Sequence, residues 1–348
     1  MKKTFRNKNK FKLENGGSLP ELEIAYHTYG TLNNSKSNVV WVCHALTANS
    51  DVFDWWKGLF GENDLFNPKD YFIVCANNLG SAYGTTGPLS KNKHTGDAWY
   101  SKFPVITIRD MVNAHDLLRE YLGIEKIHTI IGGSQGGQQV LEWNIKNPDL
   151  FENTILIATN AQHSQWGIAF NESQRLAIKA DRTYYGDFSE GGKKGLAAAR
   201  SIALLSYRTY ETYNTTQKEN HDEKIIDFNS ASYQRYQGKK LVDRFNAYSY
   251  VTLSQAMDSH NVGRARVSIK HALEKIKAKT LIIGVKTDNL FPIEEQQFLH
   301  LNIPNSSFSI IESKHGHDGF LIETKQLQVV ITTFLQSNKK QNKHLQLI

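Results

Sequence analysis

The chain has 348 residues, a formal net charge of +7, 40% hydrophobic residues and only two cysteines. This length is sufficient for one large domain with an insertion or for two domains, and the apolar content excludes a disordered chain. Cys43 and Cys75 lie in apolar runs, so we expect reduced core residues rather than a disulfide framework or a metal site.

The basic excess lies partly in residues 1–10 and 339–343, which we predict to be solvated tails. No basic stripe is interleaved with aromatic residues, so no nucleic-acid partner is expected. The basic start is not followed by an apolar signal region, and no apolar run reaches membrane-spanning length. We therefore expect a cytoplasmic protein without a membrane partner.

Alternation of apolar and polar residues predicts an antiparallel hairpin over residues 11–30. Helical spacing predicts helices over residues 108–122, with Met111, Ala114, Leu118 and Tyr121 on one face, and over 319–336. Apolar, β-branched runs predict buried strands at residues 38–45, 70–76, 126–131, 153–159, 279–285 and 307–311. Because these strands alternate with helices and are apolar throughout, the fold class is α/β, a mostly parallel sheet with helices on both faces.

The strand pattern stops near Gln165, and up to about Val267 the chain is polar, helical and rich in Tyr, Arg and Gln. We predict a helical lid inserted at residues 165–267. The core domain would then comprise residues 1–164 and 268–348.

The central motif is Gly132-x-Ser134-x-Gly136, between a predicted strand and a predicted helix. This is the spacing of a nucleophile elbow, in which glycines relieve crowding around a serine on a sharp turn. The alternative is an ordinary glycine-rich turn.

A serine nucleophile needs a base and an orienting carboxylate, which in such folds follow at the ends of later strands. Asp288 and His317 each follow a predicted strand, in that order. Taken singly, Asp288 could be a turn or N-cap residue and His317 a loop histidine. His315 is an alternative to His317, which we favour. The coincidence of all three in the required order predicts a Ser134, His317, Asp288 triad.

Acyl transfer also needs two backbone N–H donors for the oxyanion. We expect one from Gln135, after the nucleophile, and the other from Leu46, with Thr47 as the alternative. A metal site at His315, His317 and Asp318 is disfavoured, because no zinc-binding pattern supports it.

Several segments together resemble the homoserine O-acetyltransferase family, enzymes of methionine biosynthesis with the α/β-hydrolase fold. The elbow is shared with many hydrolases, whereas the glycine-rich loop and the Gly316-His317-Asp318 segment are more specific. This chain has Ser81-Ala82 where the family commonly has Gly-Cys, and Gly319 where it commonly has alanine. The similar segments are residues 43–47, 78–88, 132–143, 170–175 and 316–318.

The resemblance implies that Ser134 takes the acetyl group of acetyl-CoA and passes it to the side-chain hydroxyl of L-homoserine, in two successive half-reactions. It implies that Asp318 holds the substrate ammonium and Arg200 its carboxylate, the alternatives being a helix-capping aspartate and an exposed helix arginine. It also implies that the lid excludes water and forms a homodimer interface, and that no cofactor is needed beyond acetyl-CoA as co-substrate. The alternatives are a succinyl donor, a serine acceptor, a carboxylic ester hydrolase or a non-catalytic binding protein of the same fold.

Overall fold

A computed structural model describes residues 1–93 and 95–345 of the chain. Within them, eight of the strands form one large sheet, and β2 and β3 form a separate small hairpin. The strands are β1 (Lys3–Asn7), β2 (Phe11–Lys12), β3 (Ser18–Leu19), β4 (Leu22–Tyr29), β5 (Val39–Cys43), β6 (Phe72–Ala76), β7 (Ile127–Gly133), β8 (Phe151–Ile157), β9 (Lys279–Val285) and β10 (Ser306–Ile311).

The order of strands in the large sheet is β1-β4-β6-β5-β7-β8-β9-β10. β4 is antiparallel to both of its neighbours, whereas the strands from β6 to β10 are parallel to one another. The mostly parallel sheet predicted from the apolar runs is thereby confirmed.

Helices connect these strands and cover the sheet. They are α1 (Val52–Trp55), α2 (Ile108–Tyr121), α3 (Gln135–Lys146), α4 (Gln165–Ala180), α5 (Lys193–Tyr207), α6 (Tyr210–Thr216), α7 (Asn229–Val242), α8 (Ala247–Asp258), α9 (Ile269–Leu273), α10 (Ile293–Asn302), α11 (Gly319–Ile322) and α12 (Thr324–Leu345).

Strand β5 shows why the central strands are apolar throughout. Trp41 and Cys43 belong to the core on one face of the sheet, where the Trp41 ring meets Trp143 of α3 edge-on at 5.1 Å. Val40 and Val42 belong to the core on the other face. Successive side chains of a strand point to opposite faces, so a sheet covered on both faces buries them all.

Between β8 and β9 the described chain contains helices α4 to α9 and no strand of either sheet. Helix α5 packs on both α4 and α7, and α8 packs on α4 and α5. This agrees with the helical character predicted for residues 165–267, although the domain boundaries at 164 and 268 stay predictions.

Four expectations need correction. Residues 3–7 of the supposed N-terminal tail are strand β1, in register with β4 from Lys3 opposite Tyr26. The predicted hairpin over residues 11–30 is instead the short β2–β3 pair followed by β4, a strand of the large sheet. Tyr121, expected on one helix face with Met111, Ala114 and Leu118, is 62% exposed, whereas those three residues are buried. The last helix is interrupted at Glu323, and α12 extends to Leu345, through the residues expected to form the C-terminal tail.

No helix among the described residues is both long and apolar enough to cross a membrane.

Candidate active site

Ser134 occupies a strained turn between β7 and α3. Its φ of 56° and ψ of −127° are unusual for a residue with a side chain. Its N–H donates to Ile157 at 3.0 Å, and its carbonyl accepts from the N–H of Gly137 at 2.9 Å and from the Thr159 hydroxyl at 2.9 Å. These bonds on both sides of the peptide hold the strained conformation.

The two glycines of the motif are required by close backbone approach. A Cβ on Gly132 would lie 2.5 Å from the Gly136 carbonyl, and a Cβ on Gly136 would lie 2.1 Å from the Cys43 carbonyl. Only glycine fits at these positions, so the physical reason given for the motif agrees with the geometry.

Asp288 and His317 lie in direct contact. The His317 Nδ1 is 2.6 Å from one carboxylate oxygen of Asp288, and the other oxygen accepts from the N–H groups of Leu290 and Phe291. The carboxylate is therefore fixed in place, and it favours the His317 tautomer with a proton on Nδ1 and a free Nε2. His315 instead contacts Arg208, at 3.4 Å.

The imidazole of His317 is buried among aromatic rings. Burial lowers the pKa of His317, but the charge and hydrogen bond of Asp288, with a contribution from Asp318, outweigh it and raise the pKa above its ordinary value. The ring stacks on Phe291 at 5.0 Å, and two further rings approach it, Phe320 at 5.3 Å and Tyr207 at 5.8 Å.

The side chain of His44 supports the loop that carries Leu46. The N–H of Asn78 donates to the His44 Nε2 at 3.1 Å, and the Nδ1 lies 2.9 Å from the Ala45 carbonyl. Burial lowers the pKa of His44 to about 4, so the ring is neutral at neutral pH and fits this pair of contacts. Gln135 begins α3, where backbone N–H groups lack helical acceptors.

A cavity of about 370 Å³ brings the predicted residues together. Ser134, His317, Leu46, Arg200 and Asp318 all line it. Asp288 lies behind His317 and is 4% exposed, and Gln135 is fully buried beside Ser134. Among the predicted site residues, these two alone are absent from the cavity wall.

Arg200 and Asp318 have different surroundings. The Arg200 guanidinium lies 5.5 Å from the centre of the Tyr207 ring, and among the side chains that the structure describes it has no carboxylate partner. Asp318 forms an ion pair with Arg208, Nε to Oδ2 at 2.8 Å. A free cation and a carboxylate thus face the same cavity as Ser134.

The helices after β8 are tied to the loops of the site at several points. The Gln135 side chain donates to the Leu253 carbonyl of α8 at 3.0 Å. Arg244, just after α7, donates to the Thr47 carbonyl and to the Tyr83 hydroxyl, both at 2.5 Å. These helices therefore help to set the position of the loop around Leu46.

Several cavity residues were not predicted from the sequence. They come from α1 and from the inserted helices, where no local pattern distinguishes a cavity residue from an exposed one. They are Asp54, Trp55, Tyr207, Lys240 and Arg244.

Among the described residues, no group of three or more His, Cys, Asp or Glu side chains is arranged to hold a metal ion.

Comparison with known proteins identifies the class of the protein. Residues 38–324 match the family model for the alpha/beta hydrolase fold. The chain therefore belongs to the α/β-hydrolase family, in which a strained serine turn with histidine and acidic partners is the usual active site.

Curated relatives identify the family within this class to which the chain belongs. The homoserine O-acetyltransferase of Cyclobacterium marinum is 50% identical over 94% of this chain and 93% of its own length. That of Chlorobaculum parvum is 46% identical over 92% of this chain and 91% of its own length. The chain belongs to the homoserine O-acetyltransferase family.

Solved structures agree on the fold. Homoserine O-acetyltransferase from Bacillus anthracis is 26% identical with a TM-score of 0.87, covering 96% of each chain. An esterase of the same fold is 25% identical with a TM-score of 0.88, covering 96% of this chain and 99% of its own. The two activities are therefore separated by the site rather than by the fold.

Proposed function

We propose that this protein is an acetyl-CoA:L-homoserine O-acetyltransferase acting in methionine biosynthesis through an acyl-enzyme on Ser134. The observation that carries the proposal is the shared cavity, which joins a serine at a strained turn, a histidine in contact with a buried aspartate, and two opposite charges suited to an amino acid.

In the first half-reaction His317 removes the proton of the Ser134 hydroxyl as its oxygen attacks the thioester carbonyl. The negative charge on the tetrahedral intermediate is stabilised by the N–H groups of Leu46 and Gln135. The C–S bond then breaks, and His317 returns the proton to the leaving thiolate, releasing CoA. Asp288 stabilises the imidazolium that forms in between.

In the second half-reaction the hydroxyl of homoserine attacks the acetyl-enzyme. His317 takes the proton of that hydroxyl and delivers it to Ser134 as the ester bond to the enzyme breaks. An α-amino acid is a zwitterion at neutral pH, and Arg200 and Asp318 offer it one cation and one carboxylate. The planar guanidinium of Arg200 matches a carboxylate with two parallel hydrogen bonds.

The burial of the reacting groups favours transfer over hydrolysis. Ser134 is 5% exposed and His317 is 4% exposed, so water has restricted access to the acyl-enzyme. A carboxylic ester hydrolase remains the second candidate, because an esterase shares this fold. It would turn over p-nitrophenyl acetate rapidly without an acceptor.

The deciding experiment supplies the purified protein with acetyl-CoA and homoserine and measures free thiol and O-acetylhomoserine. We expect both products to form in equal amounts, and Ser134→Ala to lower turnover by about six orders of magnitude. Thiol release at the same rate without homoserine would identify a hydrolase, and no release at all would reject the proposal.

The donor and acceptor are tested in the same assay. Acetyl-CoA and succinyl-CoA are each offered with homoserine and with serine, and we expect the acetyl donor and homoserine to give the highest kcat/KM. Arg200→Leu should weaken the use of homoserine and leave acylation by acetyl-CoA intact. Loss of acylation as well would assign Arg200 a different role.

We also propose a homodimer formed through the inserted helices. Large apolar side chains are exposed there, including Leu205 at 60%, Tyr236 at 58% and Tyr210 at 87%. Aromatic side chains in particular are enriched at interfaces between subunits. Light scattering coupled to size-exclusion chromatography should give twice the mass of 39.5 kDa, and a monomer would contradict the interface.

A further inference from the structure

From the arrangement of charges on helix α7 we infer that Lys240 binds the phosphate groups of the acyl donor at the entrance of the cavity, with Arg244 beside it. This inference rests on the proposed function, since it concerns the part of acetyl-CoA that lies far from the thioester.

The first observation is the location of the two cations. Lys240 and Arg244 line the same cavity as Ser134 and His317. Ser134 and His317 are buried, whereas Lys240 and Arg244 are exposed. The cavity therefore leads from the reacting groups to a cationic entrance at the C-terminal end of α7.

The second observation is the contrast between Lys240 and its neighbour Lys239. Lys239 forms an ion pair with Asp243, four residues further on, at 2.8 Å, and borders a groove between α5 and α7 instead of the cavity. Lys240 is followed at the same spacing by Arg244, another cation. Among the side chains that the structure describes, no carboxylate forms an ion pair with Lys240 or Arg244.

Two like charges at this spacing repel each other. A position near the C-terminal end of a helix favours cations and offsets part of that repulsion. The helix end does not explain why Lys240, which faces the cavity, has no carboxylate partner while Lys239, which faces away from it, has one. A bound anion would supply the missing negative charge.

The third observation is the size of the cavity. About 370 Å³ lies near the lower end of the range of about 300–1,000 Å³ for pockets that hold one drug-sized ligand. Acetyl-CoA is larger than such a ligand, so the cavity accommodates its acetyl group and only part of the thioester arm. The nucleotide end of acetyl-CoA must then lie at or beyond the entrance. Asp54 faces the same cavity from α1 and repels phosphate, so the phosphates would lie on the α7 side of the entrance.

The test compares two donors that share the thioester and differ in the phosphates. We would measure kcat/KM for acetyl-CoA and for S-acetylpantetheine, which lacks the nucleotide, in the wild-type protein, in Lys240→Gln and in the matched control Lys239→Gln. Lys240 is the better probe, because Arg244 also holds the Thr47 carbonyl.

We expect Lys240→Gln to lower kcat/KM for acetyl-CoA about fivefold, the effect of one lost charge-assisted contact at an exposed site. Its kcat/KM for S-acetylpantetheine and for homoserine should stay at the wild-type value, and Lys239→Gln should change none of the three. Added salt should raise the KM for acetyl-CoA more in the wild-type protein than in Lys240→Gln, because ions screen the attraction.

Equal losses with both donors, or no loss with acetyl-CoA, would overturn the inference. If the wild-type protein released no thiol from either donor, the proposed function would have failed instead. Calorimetric titration with CoA alone would then still decide about Lys240, since equal affinity of the wild-type protein and Lys240→Gln rules out a phosphate contact.

Discussion

Arg208 and Asp318 form an ion pair of 2.8 Å, and Asp318 lines the cavity that contains Ser134. Arg208 follows α5 directly, and Asp318 follows His317, so the pair joins the inserted helices to the loop of the proposed base. The carboxylate expected to hold the substrate ammonium is thus already oriented by a cation. Each Asp318 oxygen has more than one lone pair, so the ammonium can add to the pair without displacing Arg208.

This pair predicts a defect limited to the acceptor. Asp318→Asn and Arg208→Gln should each raise the KM for homoserine about tenfold, the effect of losing about 1.4 kcal/mol of charge-assisted hydrogen bonding. The amount of thiol released in the first turnover should not change at a pH above the pKa of His317, because there the base is neutral with or without the contribution of Asp318 to that pKa. Arg208→Lys keeps the charge and should restore part of the affinity. A smaller first-turnover release in Asp318→Asn would place this residue in the first half-reaction.

The contact between His317 and Asp288 predicts a shift in the pH profile of Asp288→Asn. His317 acts as a base only when neutral, so activity falls as the pH drops through its pKa, which in the wild-type protein lies above the ordinary value of about 6.5. The neutral amide removes the charge of Asp288, which raises this pKa most, and it leaves the burial that lowers the pKa and the smaller contribution of Asp318. The acidic limb of the kcat/KM profile should therefore move to lower pH, while the rate at the plateau falls by about four orders of magnitude. A limb that moves to higher pH would contradict this assignment.

The close approach at the elbow predicts a large loss of stability for Gly136→Ala. The new Cβ would lie 2.1 Å from the Cys43 carbonyl. Because this neighbour is a backbone group, it cannot move aside as a flexible side chain could. We expect about 3 kcal/mol or more of destabilisation, as in strongly overpacked cores. Gly123→Ala is the control, because Gly123 has a φ of 65° but no neighbouring atom within 4 Å, and it should cost about 1 kcal/mol. Urea unfolding measures both, and equal effects would argue against the steric explanation.

Gly319 predicts a further effect on stability. The family resemblance makes alanine the usual residue at this position, and a helical glycine is ordinarily less stable than alanine by about 0.5–1 kcal/mol. Here a Cβ would lie 2.8 Å from the side chains of Ser313 and Val285. Gly319→Ala should therefore destabilise the protein, by about 1–3 kcal/mol. Adding Val285→Ala should recover part of that loss in a double-mutant cycle of urea unfolding, and simple additivity would contradict the contact.

The parts of the site that could be predicted from the sequence are those with a local signature. The elbow is defined within five residues, and Asp288 and His317 each follow an apolar strand that is recognisable by itself. Lys240, Arg244 and Tyr207 carry no such signature, because they reach the cavity only through the packing of the inserted helices. Their positions depend on contacts between segments far apart in the chain.

The errors in the fold have a similar cause. Residues 3–7 are mostly charged or polar and lie at the edge of the sheet, where one strand neighbour suffices and burial is slight. Tyr121 has the spacing of a buried residue, but it lies in the last turn of α2 with its ring against Phe5 of β1, at 4.8 Å. A strand at the edge of a sheet has only a weak apolar pattern in its sequence. In the last turn of a helix, a residue with the spacing of the buried face can still be exposed.

One cavity is lined by Ser134, Arg200, Asp318 and Lys240, and this affects the order in which two substrates can bind. Under the proposed mechanism, the thioester arm of the donor and the amino acid would occupy the same space beside Ser134, so one would have to leave before the other could bind. An excess of homoserine would then obstruct the unacylated protein, and an excess of acetyl-CoA would obstruct the acylated one. Turnover would be fastest in cells that keep the two compounds in balance.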